Sequence, residues 1–243
     1  MLKKILKYTI VLALLSYAVF AFIIIPMMEN RNRCKGVLIY IEGNELEAIS
    51  RESILNILEN ENLVPTGDYM DSVVCSRIED RLADMSIIKE CQVYMSHRGY
   101  VNIDISCKLP AIRVIEQGGR TYCLDCEGDI IEDIRKALYL PVVTGHVGDS
   151  MARRELKEIA NAIHGNRFWT AQIEQIHFNA DNEVIMVPRV GNHIIELGKA
   201  ENIEEKLQKL YTFYQKGMNT IGWNKYSKLN IEFNEKVICT KRQ

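Results

Sequence analysis

The sequence has no GxxxxGK[ST] loop, no GxGxxG stretch, no Gly-x-Ser-x-Gly elbow and no HExxH pair. Their absence removes the usual signatures of phosphate cradling, dinucleotide binding, serine acyl transfer and zinc proteolysis. The five histidines, His97, His146, His164, His177 and His193, fall in separate expected elements, and the carboxylates scatter along expected helix faces as solvated charge. An excess of one sign of charge is missing too: a formal net charge of −2 gives no general attraction for nucleic acid. The expectation is a chain without catalytic residue, metal, cofactor or small-molecule substrate.

Charge is also absent from one long run, Tyr8 to Met28, which contains no Asp, Glu, Lys, Arg, Asn, Gln or His. As a helix rising roughly 1.5 Å per residue, it reaches about 30 Å, the thickness of a bilayer hydrocarbon core, while satisfying its own backbone hydrogen bonds. A cleaved signal peptide is the rival reading, with Lys3, Lys4 and Lys7 as its basic start and Ser16-Tyr17-Ala18 as its small-x-small site. Val19 to Ile25 continues the apolar run past that triplet, which favours a retained anchor. Arg31, Arg33 and Lys35 nearly balance the leading lysines, and the free amine tips the count toward an inside N-terminus. The expectation is a single-pass, type II protein of the cell inner (plasma) membrane, its ectodomain extracytoplasmic.

Beyond the run, a composition of 47% hydrophobic and 26% charged residues suits folded domains, one large or two small. The seven cysteines are odd in number, so they cannot all pair within the chain, which speaks mildly against an oxidising compartment. Cys91 and Cys107 flank an expected hairpin turn at Arg98 and Gly99, either as a cross-strand disulfide or as small buried hydrophobes. Cys123-Leu124-Asp125-Cys126 has redox spacing, but Glu127-Gly128-Asp129 reads as a turn into a strand rather than the helix N-terminus that activates such thiols. An incidental pair in a hairpin is expected there. No second CxxC completes a zinc site.

Val37 to Ile41 reads as a strand closed by Glu42-Gly43-Asn44. Ser50 is a good N-cap, Ile49 and Ile54 fit a hydrophobic staple, and Ile54, Ile57 and Leu58 recur at helical spacing. Pro65 and Gly67 break the pattern. A second helix is predicted over 71–84, with Val74, Ile78, Leu82 and Met85 as one stripe. Cys91, Val93 and Met95, then Val101, Ile103 and Ile105, alternate about the His97-Arg98-Gly99 turn as a hairpin with one buried face.

This β-α-α-β-β order, directly after one apolar run, resembles the POTRA domain. The segments Ile41-Glu42-Gly43-Asn44, Ile49-Ser50, Ile87 to Val93 and Val101 to Ile105 resemble the POTRA domain of the FtsQ/DivIB bacterial cell-division family. Lys108-Leu109-Pro110-Ala111 is similar to the family's link into a further sheet, and Leu124 to Gly128 to its hairpin. Leu140 to Gly145 resembles its short strand ending in glycine.

In the second unit, Ile112 to Glu116, Arg120 to Leu124 and Asp129 to Glu132 read as short strands. A helix is predicted over 149–164, then strands at Ile173 to Phe178, Glu183 to Val187 and His193 to Leu197, then a helix carrying Ile203, Leu207, Leu210 and Tyr214. Leu229, Ile231 and Phe233 alternate, Asn234-Glu235 turns the chain, and Val237 and Cys239 resume, so the last strand is expected at a sheet edge. Edges carry unpaired N–H and C=O groups ready to add a partner strand. Phe168, Trp169 and Trp223 are expected in the core, with partner anchoring as their rival role.

The expected organisation is α+β: a cytoplasmic tail at 1–7, a transmembrane helix at 8–28, a linker at 29–36, a POTRA domain at 37–108, and a mixed β-sheet domain with two or more helices at 109–243. The resemblance implies a non-enzymatic divisome component at the septum that binds proteins of the FtsB/DivIC and FtsL type. It assigns partner binding to Phe233, Asn234, Val237 and Cys239 of the last hairpin, and to Lys199 before the last helix, as a charge for an acidic partner segment. A POTRA-containing translocation or envelope assembly component is the alternative, though it predicts POTRA repeats or barrel strands that the sequence lacks.

Overall fold

A computed structural model of the chain describes residues 2–20, 33–43, 47–132, 134, 136–147, 152–233 and 235–242. Its first helix, α1, spans Leu2–Val19. Among the described residues no helix is long and apolar enough to cross a membrane. α1 takes in the first part of the uncharged run, and the rest of that run, from residue 21, lies outside the described residues.

The chain divides into two compact units, one of Met1–Glu42, Ser50–Asp84 and Glu90–Ile105, the other of Gly43–Ile49, Met85–Lys89 and Ser106–Gln243. The first holds a three-stranded sheet of β1 (Gly36–Glu42), β2 (Ile88–Met95) and β3 (Tyr100–Cys107), with β3 central. Two helices accompany it, α2 (Arg51–Asn60) and α3 (Cys75–Ala83). Ser50 caps α2 as expected: its side chain accepts from Ser53 N, and the Ser53 hydroxyl accepts from Ser50 N, both at 3.1 Å. Ile54, Leu58, Ile78, Leu82, Val101 and Ile103 are all buried. Each such side chain removed from water contributes about 1.5–3 kcal/mol.

The second helix begins later than the periodicity predicts. Met70–Ser72 forms a 3-10 turn instead, in which the Ser72 hydroxyl donates to Tyr69 O at 2.7 Å, a local bond that competes with helix propagation. Val73 and Val74 follow in extended or near-extended backbone, suited to β-branched residues, and Val74 is exposed rather than part of the buried stripe.

The second unit is built on a nine-stranded mixed sheet in the order β12-β11-β10-β9-β8-β7-β4-β5-β6. The strands are β4 (Pro110–Ile115), β5 (Thr121–Asp125), β6 (Ile130–Ile131), β7 (Val142–Gly145), β8 (Ile173–Phe178), β9 (Val184–Pro188), β10 (Ile194–Gly198), β11 (Tyr226–Asn230) and β12 (Ile238–Lys241). Three neighbouring pairs run parallel, β4 with β7, β7 with β8, and β10 with β11. Parallel neighbours need a crossover, and helices supply two of the three. α4 (Lys157–His164) and α5 (Arg167–Gln172) lie between β7 and β8; α6 (Ile203–Phe213) and the short α7 (Asn219–Ile221) lie between β10 and β11. A π-helical turn at Ala152–Leu156 leads into α4, and another at Tyr214–Met218 joins α6 to α7.

One core fills the space between helices and sheet. Leu156, Ile159 and Ile163 meet Leu207, Leu210 and Tyr214 over the inner side chains of Ile112, Val143, Phe178, Met186, Ile195 and Leu229. Trp169 is buried in this core, and Phe168 packs against it with ring centroids 4.8 Å apart, in the packing role expected for both. Trp223 is only partly covered, 4.9 Å from the Tyr214 ring.

Candidate interaction edge

β12 is the terminal strand of the sheet order, paired antiparallel with β11 through Leu229↔Cys239 and Asn230↔Ile238, and its other side carries no strand among the described residues. Along it Cys239 turns partly inward against the core, while Ile238 is half exposed. Val237, just before the strand, also packs partly on the core. Phe233 sits off the strands in the β11–β12 connection and is 51% exposed. Asn234 lies outside the described residues. Phe233, Val237 and Cys239 therefore share one terminal hairpin, with Phe233 and Ile238 its open hydrophobic side chains.

The connection leaves the strand for a local reason: the Asn230 side-chain carbonyl accepts from Glu232 N at 3.0 Å, an Asx turn. Ile231 stays buried and its N–H donates to Glu196 O at 2.9 Å. Lys209 of α6 then fixes the carbonyls, donating from Nζ to Ile231 O at 3.0 Å and to Phe233 O.

Lys199 follows β10, and its ammonium donates to Asp181 O in the β8–β9 turn. Its own carbonyl accepts from Lys206 Nζ at 2.9 Å, as does Leu197 O at 3.0 Å. Gly198 lets this strand end lie close to the connection: at φ +73° a Cβ there would come within 2.7 Å of Glu232 Cγ. So α6 holds both the Lys199 backbone and the Phe233 backbone, through lysines three residues apart. Burial pushes the Lys206 ammonium below its usual pKa; burial, then the charge of Lys206, does the same to Lys209. Neither lysine belongs to a recognisable motif. The signal was present, because Lys206 falls at apolar spacing between Ile203 and Leu210.

A second polar feature of this unit is internal. His193 is buried, and its Nε2 lies 2.7 Å from the Tyr214 hydroxyl, while Nδ1 has no hydrogen-bond partner. Burial, then the positive charge of Arg242, lowers the imidazole pKa to about 4. Burial pushes the Tyr214 phenol up.

The thiols have the opposite of redox activation. All seven cysteines are free. Burial raises both Cys123 and Cys126, the latter further through the carboxylates of Asp125 and Glu127, and Cys91 rises to about 11. Among the described residues no group of three or more His, Cys, Asp or Glu side chains is placed to hold a metal ion.

Residues 32–106 match a POTRA-like domain. The β-rich unit after it matches, over residues 109–240, the family described as FtsQ/DivIB, C-terminal related. None of the curated proteins matches the chain. A POTRA-like domain followed by a β-rich domain with an open terminal strand defines a two-unit α+β protein. The second match spans more than half of the sequence, and the chain belongs to the FtsQ/DivIB family. Membership points to a role in bacterial cell division.

Proposed function

We propose that the chain is a non-enzymatic, single-pass divisome component that docks its partners by strand addition at β12. The single observation that carries this reading is the open edge itself, flanked by the half-exposed side chains of Phe233 and Ile238. An incoming strand of the FtsB/DivIC or FtsL type pairs with the free N–H and C=O groups of β12, and its apolar side chains cover those two residues. Early and late division proteins are thereby linked, and partners for septal peptidoglycan synthesis are recruited.

Support for the anchor comes from α1. Its described large apolar side chains are open: Leu12 is 72% exposed, and Ile10, Leu14, Leu15, Tyr17 and Val19 are exposed as well. From Tyr8 to Val19 the helix carries no charge, and open apolar side chains on such a stretch suit an apolar medium. The Ser16 hydroxyl is already satisfied, donating to Ala13 O at 2.9 Å. An anchor of this kind holds the domains at the membrane surface and raises their effective concentration for membrane-bound partners.

The direct test is Phe233→Ala and Val237→Glu, with binding to a purified FtsB/DivIC-type partner measured for each. Weakened binding supports strand addition, and unchanged affinity for both variants sinks it. A fluorescent fusion concentrates at midcell if the divisome reading is right; uniform envelope labelling counts against it.

A further inference from the structure

The outward face of the three-stranded sheet in the first unit has a composition that the edge at β12 lacks. In β1 to β3 the buried side chains Ile39, Val93, Val101, Ile103 and Ile105 occupy one face. Alternation places Tyr40, Glu42, Glu90, Tyr94, Asn102 and Asp104 on the other. Tyr40 and Tyr94 are 52% and 47% exposed, on the two outer strands. Between them, on the central strand, Asp104 Oδ2 accepts from the Tyr94 hydroxyl at 3.1 Å. That bond is the largest cause of the raised Tyr94 pKa, and the phenol of Tyr40 adds to it.

Three carboxylates and two open phenol rings share this face, and no outward position of the three strands carries Lys or Arg. Asn102 lies nine-tenths buried at the floor of the face. The rim already shows how a cation is accommodated: Lys35 Nζ lies 5.9 Å from the Tyr100 ring centroid while donating to Arg98 O at 2.8 Å.

We infer that the Tyr40–Asp104–Tyr94 face of the POTRA-like unit is a docking surface for a basic, arginine- or lysine-bearing polypeptide segment. Guanidinium groups stack over the two phenols and pair with Asp104, Glu42 and Glu90, and a polar group of the segment meets Asn102. Arginine suits the site better than lysine, since its planar group both stacks and forks onto a carboxylate. The inference rests on the divisome reading and adds to it the chemistry of a second partner, which docks on the first unit.

The test uses the full chain in detergent and a fluorescein-labelled nona-arginine peptide, with nona-glutamate as control and anisotropy as the readout. Binding of nona-arginine that weakens with added salt, and that falls about tenfold or more in Glu42→Gln/Glu90→Gln/Asp104→Asn, is the expected result. Tyr40→Ala weakens it further, and lysine peptides bind less tightly than arginine peptides. Equal binding by the triple variant and the parent, or equal binding of both peptides, overturns the inference. Matching thermal melts of parent and variant exclude a folding defect as the cause of a loss. Midcell localisation reads the divisome proposal separately, so either result can fail alone.

Discussion

The ammonium of Lys209, on α6, donates to the carbonyl oxygen of Phe233 and so ties the β11–β12 connection to a helix that is itself seated in the core. Without it the connection is held by the Asx turn at Asn230 and the bond from Ile231 to Glu196. Lys209→Met keeps the aliphatic stem and removes the donors. A charged hydrogen bond contributes about 1.5–3 kcal/mol, and partial exposure of this one reduces the expected loss to about 1 kcal/mol. Amide exchange in β12 is expected to speed up several-fold, while the amides of α4 keep their protection. Partner affinity falls with it, because an edge that frays docks a strand poorly.

Acid should weaken the second unit through His193. Its folded pKa is about 4, below the ordinary 6.5, so between those values the unfolded chain binds the proton and the folded chain does not. Stability from this group is complete above pH 6.5 and is lost as the pH falls toward 4. Across that window the loss amounts to about 3 kcal/mol. Chemical denaturation at pH 7 and pH 4.5 measures it. His193→Gln is expected to be less stable at pH 7 and to show a flatter profile across that window, and an unchanged slope would refute the assignment.

Gly145, read from sequence as the end of a short strand, is irreplaceable for a reason only the fold reveals. It ends β7 at φ +102°, paired with Phe178 of β8, and a Cβ there would press onto the Phe178 carbonyl, 2.9 Å from its carbon. That oxygen also accepts from His146 N at 3.1 Å, so it is held in place. Gly145→Ala therefore combines a strained backbone with a clash at the middle of the sheet. A loss of about 3 kcal/mol or more is expected, seen as a large fall in the thermal midpoint.

Sequence pattern was most informative where periodicity extends over two turns or two strand pairs. Ser50 as a cap, the Ile54 and Leu58 stripe, the hairpin about Gly99 and the strand Ile173–Phe178 all appear as read. It failed where a short polar side chain redirects the backbone. Asn166 accepts from Phe168 N at 2.9 Å and starts α5, a helix too short for periodicity to reveal. Asn230 ends β11 one residue before Ile231, so Phe233 leaves the alternation that seemed to include it. Helical backbone continues beyond Tyr214 through a π turn to Ile221, past the expected end of the amphipathic stripe. At the site, the edge position of the last strand was legible. Of the lysines that hold it only Lys206 carried a signal, its place in the apolar stripe, and the carbonyl partners of both lie too far off in sequence to be read from it.

Ile238 separates the interface from the fold. It lies on the edge strand, 50% exposed, and its neighbour Cys239 makes the inward contact. Ile238→Lys puts a charge where water already reaches, so folding stability should change by no more than about 0.5 kcal/mol. A lysine on an edge is also the device by which natural sheets discourage strand addition. Affinity for an FtsB/DivIC-type partner is therefore expected to drop about tenfold or more with an unchanged melting curve. Binding equal to the parent would mean that partners approach the second unit by some other surface; a parallel fall in melting temperature would mean that Ile238 serves the fold.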